Sequence, residues 1–540
     1  ERLFNPLNVE LVNWMESQSA PGTVFIFPLR SRSGSSSQPW MYTIRFLFKG
    51  GARFIPDYEP DVPGDLLAAV NGNDHVYLLT SQLTKADAKE QFSYLLERLG
   101  TAVETEQRFG FTSQHFVINS WQLDAPVMRL TPATAFGDAL LLRSVEMGLV
   151  VDLRRMVWAE LEWENLNSRR DYQVSVRLQD SAGNIVAQQD KLLLNNLLNE
   201  PTSAWPAGAI ENDFHNLEIP PTILPGNYEL RVLVYDAHSL LPLAPQINVP
   251  GQSLLLTTVA IPPISRPVDV KLEHPTVVQI EDSEVALAIS NESLPQSLMP
   301  GQSFTMPILL QVNRKDFKSS IQLNLSSATQ NWILSAPVDL KTPANWPLNA
   351  PFQLFLTGTI PRAITVQDNY WLSLSLSDRN GQTTEIPLPE IELQTRSRLF
   401  TVPAAEKMVK ANVDFGEIAQ LIGFDLDLTQ VKNENGQVGL TLYWQAITET
   451  EVSYKVFVHL LDAEGNIVQQ VDREPQAGQT PTTSWLENEV VMDKFVFPVD
   501  EKLKDVARIA VGLYNPSTGE RLLITDPVDR LSKTAYEITF

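Results

Sequence analysis

The chain has 540 residues, a net charge of −23, a sequence pI near 4.7 and no cysteine. The acidity argues against a nucleic-acid partner, which needs clustered Lys and Arg, and against an electrostatic hold on an anionic membrane. Absent cysteines exclude disulfides and thiolate zinc sites, and the length suits about three to five domains. No apolar run approaches the roughly 18 residues of a membrane span. The chain opens at Glu1 directly on a helical pattern, without Met or signal peptide, so the expectation is a piece of a longer protein.

Residues 1–118 read as an α/β unit. Asn5 and Pro6 start a helix carrying Leu7, Val9, Leu11, Val12 and Met15, and Pro21-Gly22 ends it. Thr23–Phe27 is a short buried strand. Trp40–Phe48 reads equally as helix or strand. Ala52–Ile55 and His75–Leu79 are further strands, separated by a short helix at Asp65–Val70. Lys85–Leu99 has helical periodicity, with Phe92, Leu95, Leu96 and Leu99 on one face and Gly100 as its stop. Strands near Ala102–Phe109 and His115–Ile118 complete the unit. Alternating strands and helices predict a small, mostly parallel sheet covered by helices. The low-complexity stretch Ser31–Ser37 follows the first strand, where ligands sit in open α/β sheets.

Beyond residue 118 the period switches to two. Val174, Val176 and Leu178 alternate with Gln173, Ser175 and Arg177, and Tyr228, Leu230, Val232 and Val234 form another ladder. Pro/Gly turns recur, so residues 119–264 read as a β-sandwich. Ile261–Pro267 is a stiff linker. Residues 268–397 are a divergent second sandwich, in which Ser319–Leu325 and Tyr370–Leu376 alternate clearly and Trp346-Pro347 echoes Trp205-Pro206. Arg396–Ala405 is a second linker, and residues 398–540 form the third sandwich.

The first and third sandwiches are duplicates. Leu440–Asp472 repeats Ala159–Asp190: Trp163 answers Trp444, Tyr172 answers Tyr454, and Gly183-Asn184-Ile185-Val186 returns as Gly465-Asn466-Ile467-Val468. Trp205 answers Trp485 and Tyr235 answers Tyr514, the displacement drifting only from 282 to 279 residues. The fold expected is therefore a multidomain α/β plus all-β chain: one α/β domain, then three tandem immunoglobulin-like or jelly-roll-like sandwiches.

The duplicated tryptophans would suit sugar stacking, but residues that duplicate with the strand skeleton read better as core; Tyr443 should face away from Trp444. The unpaired Trp40, Trp121, Trp158 and Trp371 are better surface candidates. Together with the serine loop they give the candidate ligand contacts Ser31, Ser33, Gly34, Ser35, Trp40, Trp121 and Trp371. The turns Asp180–Asn184 and Asp462–Asn466 offer two or three oxygens where calcium takes six to eight, so they read as hairpin turns. The six histidines show no HExxH and no metal spacing on one element, and His459 reads as a solvated strand residue. There is no GxSxG, GxGxxG or P-loop pattern, and no catalytic residue, metal ligand or cofactor site is assigned.

The run LTLYWQA…YKVFVHLLDAEGNIVQQVDREP…PTTSW…GLYNPSTGERL resembles β-sandwich modules at the extracytoplasmic C-terminal end of bacterial multi-spanning proteins. Many of those are of the dolichyl-phosphate-mannose–protein mannosyltransferase-like class (glycosyltransferase family 39). NVELVNWMESQSAPGTVFIFP is similar to the α/β segment that follows their last membrane helix. In that family the catalytic acids lie between early membrane helices, and nothing in residues 1–540 matches that part. The resemblance implies a non-catalytic, membrane-linked extracytoplasmic or cell-surface ectodomain. Its partners would be a glycan or glycoprotein acceptor and the membrane-embedded portion of the same polypeptide. The alternatives are a structural cell-surface spacer and a carbohydrate-active hydrolase, the latter requiring an acidic pair at the strand ends of residues 1–118.

Overall fold

The computed structural model describes residues 6–29, 39–57, 61–81, 86–151, 155–196, 199–247, 252–263, 270–272, 274–280, 283–289, 294–314, 319–340, 346–364, 369–389, 391–402, 408–427, 437–498, 506–516, 518–525 and 533–539. The chain divides into two compact units, Glu1–Ile264 and Ser265–Phe540.

In the first unit the α/β domain runs α1 (Pro6–Gln18), β1 (Thr23–Leu29), α2 (Pro39–Leu47), β2 (Gly51–Pro56), α3 (Val62–Val70), β3 (His75–Ser81), α4 (Gln91–Leu99), β4 (Gly100–Arg108) and β5 (Phe111–Ile118). The sheet order is β2-β1-β3-β5-β4. β1 is parallel to β2 and β3, while β5 is antiparallel to both β3 and β4. The sheet is thus mixed, because Phe109-Gly110 turns β4 straight back into β5 where a parallel strand would need a crossover; Gly110 has φ +82°. One sheet face packs on α1 and α2 through Leu11, Met15, Phe25, Phe27 and Ile44, the other on α3 and α4 through Val24, Ile26, Leu66, Leu78 and Leu96.

Helix α4 starts later than its periodicity suggests. Asp87 accepts hydrogen bonds from the Phe92 and Ser93 backbone N–H groups at 3.0 and 3.4 Å, and Asp87 and Glu90 take positive φ. The carboxylate satisfies donors that the first helical turn leaves open, and so fixes the start. Lys85 and Asn5 lie outside the described residues. Gly100 is needed for space rather than for φ: a Cβ there would stand 2.2 Å from the Val117 carbonyl oxygen.

The three sandwiches share one topology. In the third, strands 490–498, 437–446, 419–427 and 409–415 form one sheet in that order, and 467–473, 455–461, 508–514 and 536–539 form the other. The first repeats this with 210–218, 156–165, 140–150 and 128–130 over 185–192, 172–179, 226–236 and 253–261. The divergent second repeats it again with 352–359, 303–312, 283–288 and 276–280 over 331–333, 319–326, 371–378 and 383–387. All these pairings are antiparallel, as in immunoglobulin-like sandwiches.

The duplicated residues build the cores. Trp163 and Trp444 are both 0% exposed, and each meets a phenylalanine edge-on, Phe136 at 5.5 Å and Phe415 at 5.3 Å. Trp205 and Trp485 are buried as well, each donating its Nε1–H to a carbonyl five residues back, that of Glu200 or of Thr480. Three residues before each tryptophan, a threonine bridges the start of a strand. The Thr202 hydroxyl accepts from Tyr172 N–H and donates to the Arg170 carbonyl, and Thr482 does the same with Tyr454 and Val452. The Asp turns are hairpins: Asp180 accepts from Ala182 and Asn184, and Asp462 from Asn466, with Gly183 and Gly465 at φ +86° and +90°. Tyr443 does face away from Trp444, but into a second small cluster with Ile422 and Val490, where it is buried.

Modules within a unit are joined by specific contacts. In the first unit α4 packs on the outer face of the first sandwich, where Trp158 and Phe214 meet Leu95 and Leu96, and Asn216 donates to Glu97 at 2.7 Å. In the second unit the segment after residue 394 is no free linker. Arg396 and Arg398 both bond to Glu489, which is 0% exposed, and Arg398 also donates to the Arg362 carbonyl. Arg362 in turn donates to the Thr483 carbonyl at 2.6 Å and to Glu449 and Glu451.

Candidate functional site

The sequence-derived candidates separate sharply. Ser31, Ser33, Gly34 and Ser35 lie outside the described residues. Trp40 turns inward on α2, its ring 5.0 Å from Phe111 and 5.5 Å from Phe27. Trp158, a surface candidate from sequence, is 1% exposed, sealed between the α/β domain and the first sandwich with the Arg98 guanidinium 3.7 Å over its ring. A strand's alternation shows that a residue faces out of its own sandwich, not that another domain covers it. Trp121 is 47% exposed, with its Nε1–H donated to the Asn73 carbonyl at 3.1 Å.

Trp371 is 49% exposed and stands in a formed site. It begins strand 371–378 of the second sandwich, opposite Ser326 on strand 319–326. Leu372, Leu374 and Leu376 take the core face, so Trp371 and Ser373 take the outer one. Asn324 is the cross-strand partner of Ser373, and Glu385 approaches the Asn324 amide at 3.5 Å. Ser373 is 4% exposed, and neither its Oγ nor Asn324 Oδ1 has a hydrogen-bond partner among the described residues. Beside the indole, Leu325, Tyr370, Leu372, Leu388, Ile391 and Leu393 line a cleft of about 190 Å³. Trp332 flanks it, its ring 5.9 Å from that of Tyr370. Among the described lining residues none carries a carboxylate or imidazole. Such a surface can stack against a ligand.

The carboxyl ends of β2 and β3 do carry an acidic pair. Asp57 Oδ2 accepts the Asp87 backbone N–H at 2.9 Å. Burial, with smaller contributions from Asp57 and Glu90, pushes the Asp87 carboxyl up to about 7 against the pull of its two backbone bonds. Both Asp87 oxygens are engaged by the α4 N-terminus, so burial accounts for the raised carboxyl and capping for its place there, and it does not carry the hydrolase alternative.

Three histidine environments escaped sequence reading. His459 is 7% exposed, with Nε2 3.0 Å from Asp472 and its ring 4.9 Å from Phe457, so it is not solvated; its outer-face neighbours cover it. His215 is fully buried on the inner face of its strand, opposite Ala159 and on the side of Leu161 and Trp163, with Nε2 2.6 Å from Asp213. Burial alone would raise the Asp213 carboxyl, but His215, Lys191 and Lys89 outweigh it and hold it below the usual range. His75 and His115, 40 residues apart in sequence, are neighbours, with Nδ1 of the first 3.0 Å from Nε2 of the second. Among the described residues no three metal-ligating side chains converge, and no helix is long and apolar enough to cross a membrane.

No family model matches the chain, and no curated protein matches it. Among solved structures it aligns with dimeric latent PorU from Porphyromonas gingivalis at 9% identity and a TM-score of 0.18, over 87% of this chain and 41% of that one. The chain thus spans less than half of that protein, and a similarity at this level carries no argument.

Proposed function

We propose that the chain is the non-catalytic, extracytoplasmic part of a membrane-linked bacterial protein and that it recognises glycan or glycoprotein through the second sandwich. The observation carrying this reading is Trp371: an indole half open to solvent beside an apolar cleft that Tyr370 also lines. An indole face packs against a pyranose ring. Extracytoplasmic placement and attachment to a glycosyltransferase rest on the resemblance of the third sandwich.

The test is a glycan array probed with the full chain, with Trp371→Ala and with Trp121→Ala. Binding lost in W371A and kept in W121A supports the site. Binding kept in W371A moves recognition elsewhere, and silence from the full chain removes glycan recognition. A spacer role is the second reading, favoured by the arginine junction at Glu489, which ties the second and third sandwiches together. Glycan silence together with membrane anchoring of the parent protein would put that reading first.

A further inference from the structure

We propose that His75 and His115 form a two-imidazole site for a divalent transition metal on the α/β domain, independently of the glycan reading. The histidines come from adjacent antiparallel strands: Tyr77 pairs with His115 and His75 with Val117, so the two rings sit diagonally on one sheet face. Their facing nitrogens are 3.0 Å apart and their ring centroids 5.2 Å apart. Two nitrogens each about 2.05 Å from an ion, separated by that distance, subtend roughly 95° at it, close to adjacent positions of an octahedral or tetragonal ion. Without metal, one ring donates to the other. On binding, the donor ring carries its single proton on its remote nitrogen instead, so that both facing nitrogens present lone pairs and both rings stay neutral.

Neighbouring side chains hold the rings in place. The Tyr77 ring stacks on His115 at 4.2 Å and 9°, and the Tyr77 hydroxyl donates to Gln18 at 3.1 Å, so the imidazole orientation is fixed from α1. On the other side of His115, Glu104 is its register partner in β4 and supplies a negative charge to that face. Both histidines remain partly exposed, so an ion can enter with its waters. Two imidazoles with water in the remaining positions select zinc, nickel or copper over calcium and magnesium. Each strand contributes only one histidine, so spacing along the chain gives no signal of the pair.

The test uses the untagged full chain. Titration calorimetry with Zn²⁺ should show one saturable site, lost in His75→Ala and in His115→Ala, retained in His459→Ala, and without a Ca²⁺ counterpart. A zinc site that survives both substitutions, or equal Ca²⁺ binding, overturns the proposal, as does the absence of saturable zinc binding. Electron paramagnetic resonance of the wild-type chain with equimolar Cu²⁺ guards against variants that fail to fold. Hyperfine coupling to two imidazole nitrogens is expected, and coupling to one or none overturns the assignment.

Discussion

Replacing Thr482 with valine should uncouple the start of strand 455–461 from the turn that carries Trp485. Valine keeps the volume of threonine and removes only the hydroxyl. That hydroxyl is fully buried, accepts from Tyr454 N–H at 2.8 Å and donates to the Val452 carbonyl at 2.8 Å. The substitution takes a partner from one backbone donor and one backbone acceptor, each costing about 1–3 kcal/mol when left buried and unpaired. Tyr454 is only partly buried, so water recovers some of this and a loss of about 2–4 kcal/mol is expected. By native-state hydrogen exchange, protection of the Tyr454 amide should then fall about 30-fold or more, wherever its exchange requires the module to open. Thr482→Ser keeps both bonds and should lose only about 1 kcal/mol, for the missing methyl group. Thr202→Val should repeat the effect in the first sandwich, because Thr202 makes the same two bonds with Tyr172 and Arg170. A T482V chain within about 0.5 kcal/mol of wild type, or T482S as destabilised as T482V, would refute the bridge as a stabilising device.

Two further outcomes follow from buried charges. Glu489→Ala strands the Arg396 and Arg398 guanidiniums, whose side chains are 19% and 10% exposed, and should cost about 3–5 kcal/mol. Limited proteolysis near residues 396–402 should speed up accordingly, and unchanged cleavage would mean that the segment is held by its other contacts. Burial pushes the Asp87 carboxyl up to about 7 in the folded chain, well above the usual carboxylate range, so between those values the folded state holds a proton that the unfolded chain has lost. Its contribution is therefore most favourable below about pH 4 and declines as pH rises towards 7, by at most about 1.4 kcal/mol per unit. Asp87→Asn should accordingly gain stability relative to wild type between pH 5 and pH 8 in denaturant titrations, and a difference that does not change with pH would contradict the assignment.

Much of the fold was readable because its signals are local. Val174-Ser175-Val176 alternates whatever surrounds it, and Asp180–Asn184 and Asp462–Asn466 contain in five residues all that their turns need. Trp163 and Trp444 could be placed in the core because duplication supplied a second copy for comparison. The start of α4 was misplaced because the apolar pattern extends past the point where a buried carboxylate closes the helix. The third topological copy is clear only in three dimensions, since the second sandwich keeps the strand order after losing most of the matching residues.

The sequence by itself determined the strand skeleton, the duplication and the core tryptophans, because periods of two and 3.6 and turn chemistry act within a few residues. It could not decide among Trp40, Trp158 and Trp371, which occupy similar aromatic-rich or alternating contexts and end respectively packed on Phe111, sealed beneath Arg98 and half open to solvent. Nor could it bring His75 to His115. Exposure depends on which surface another module covers, and contact across 40 residues depends on strand register; the tertiary structure fixes both.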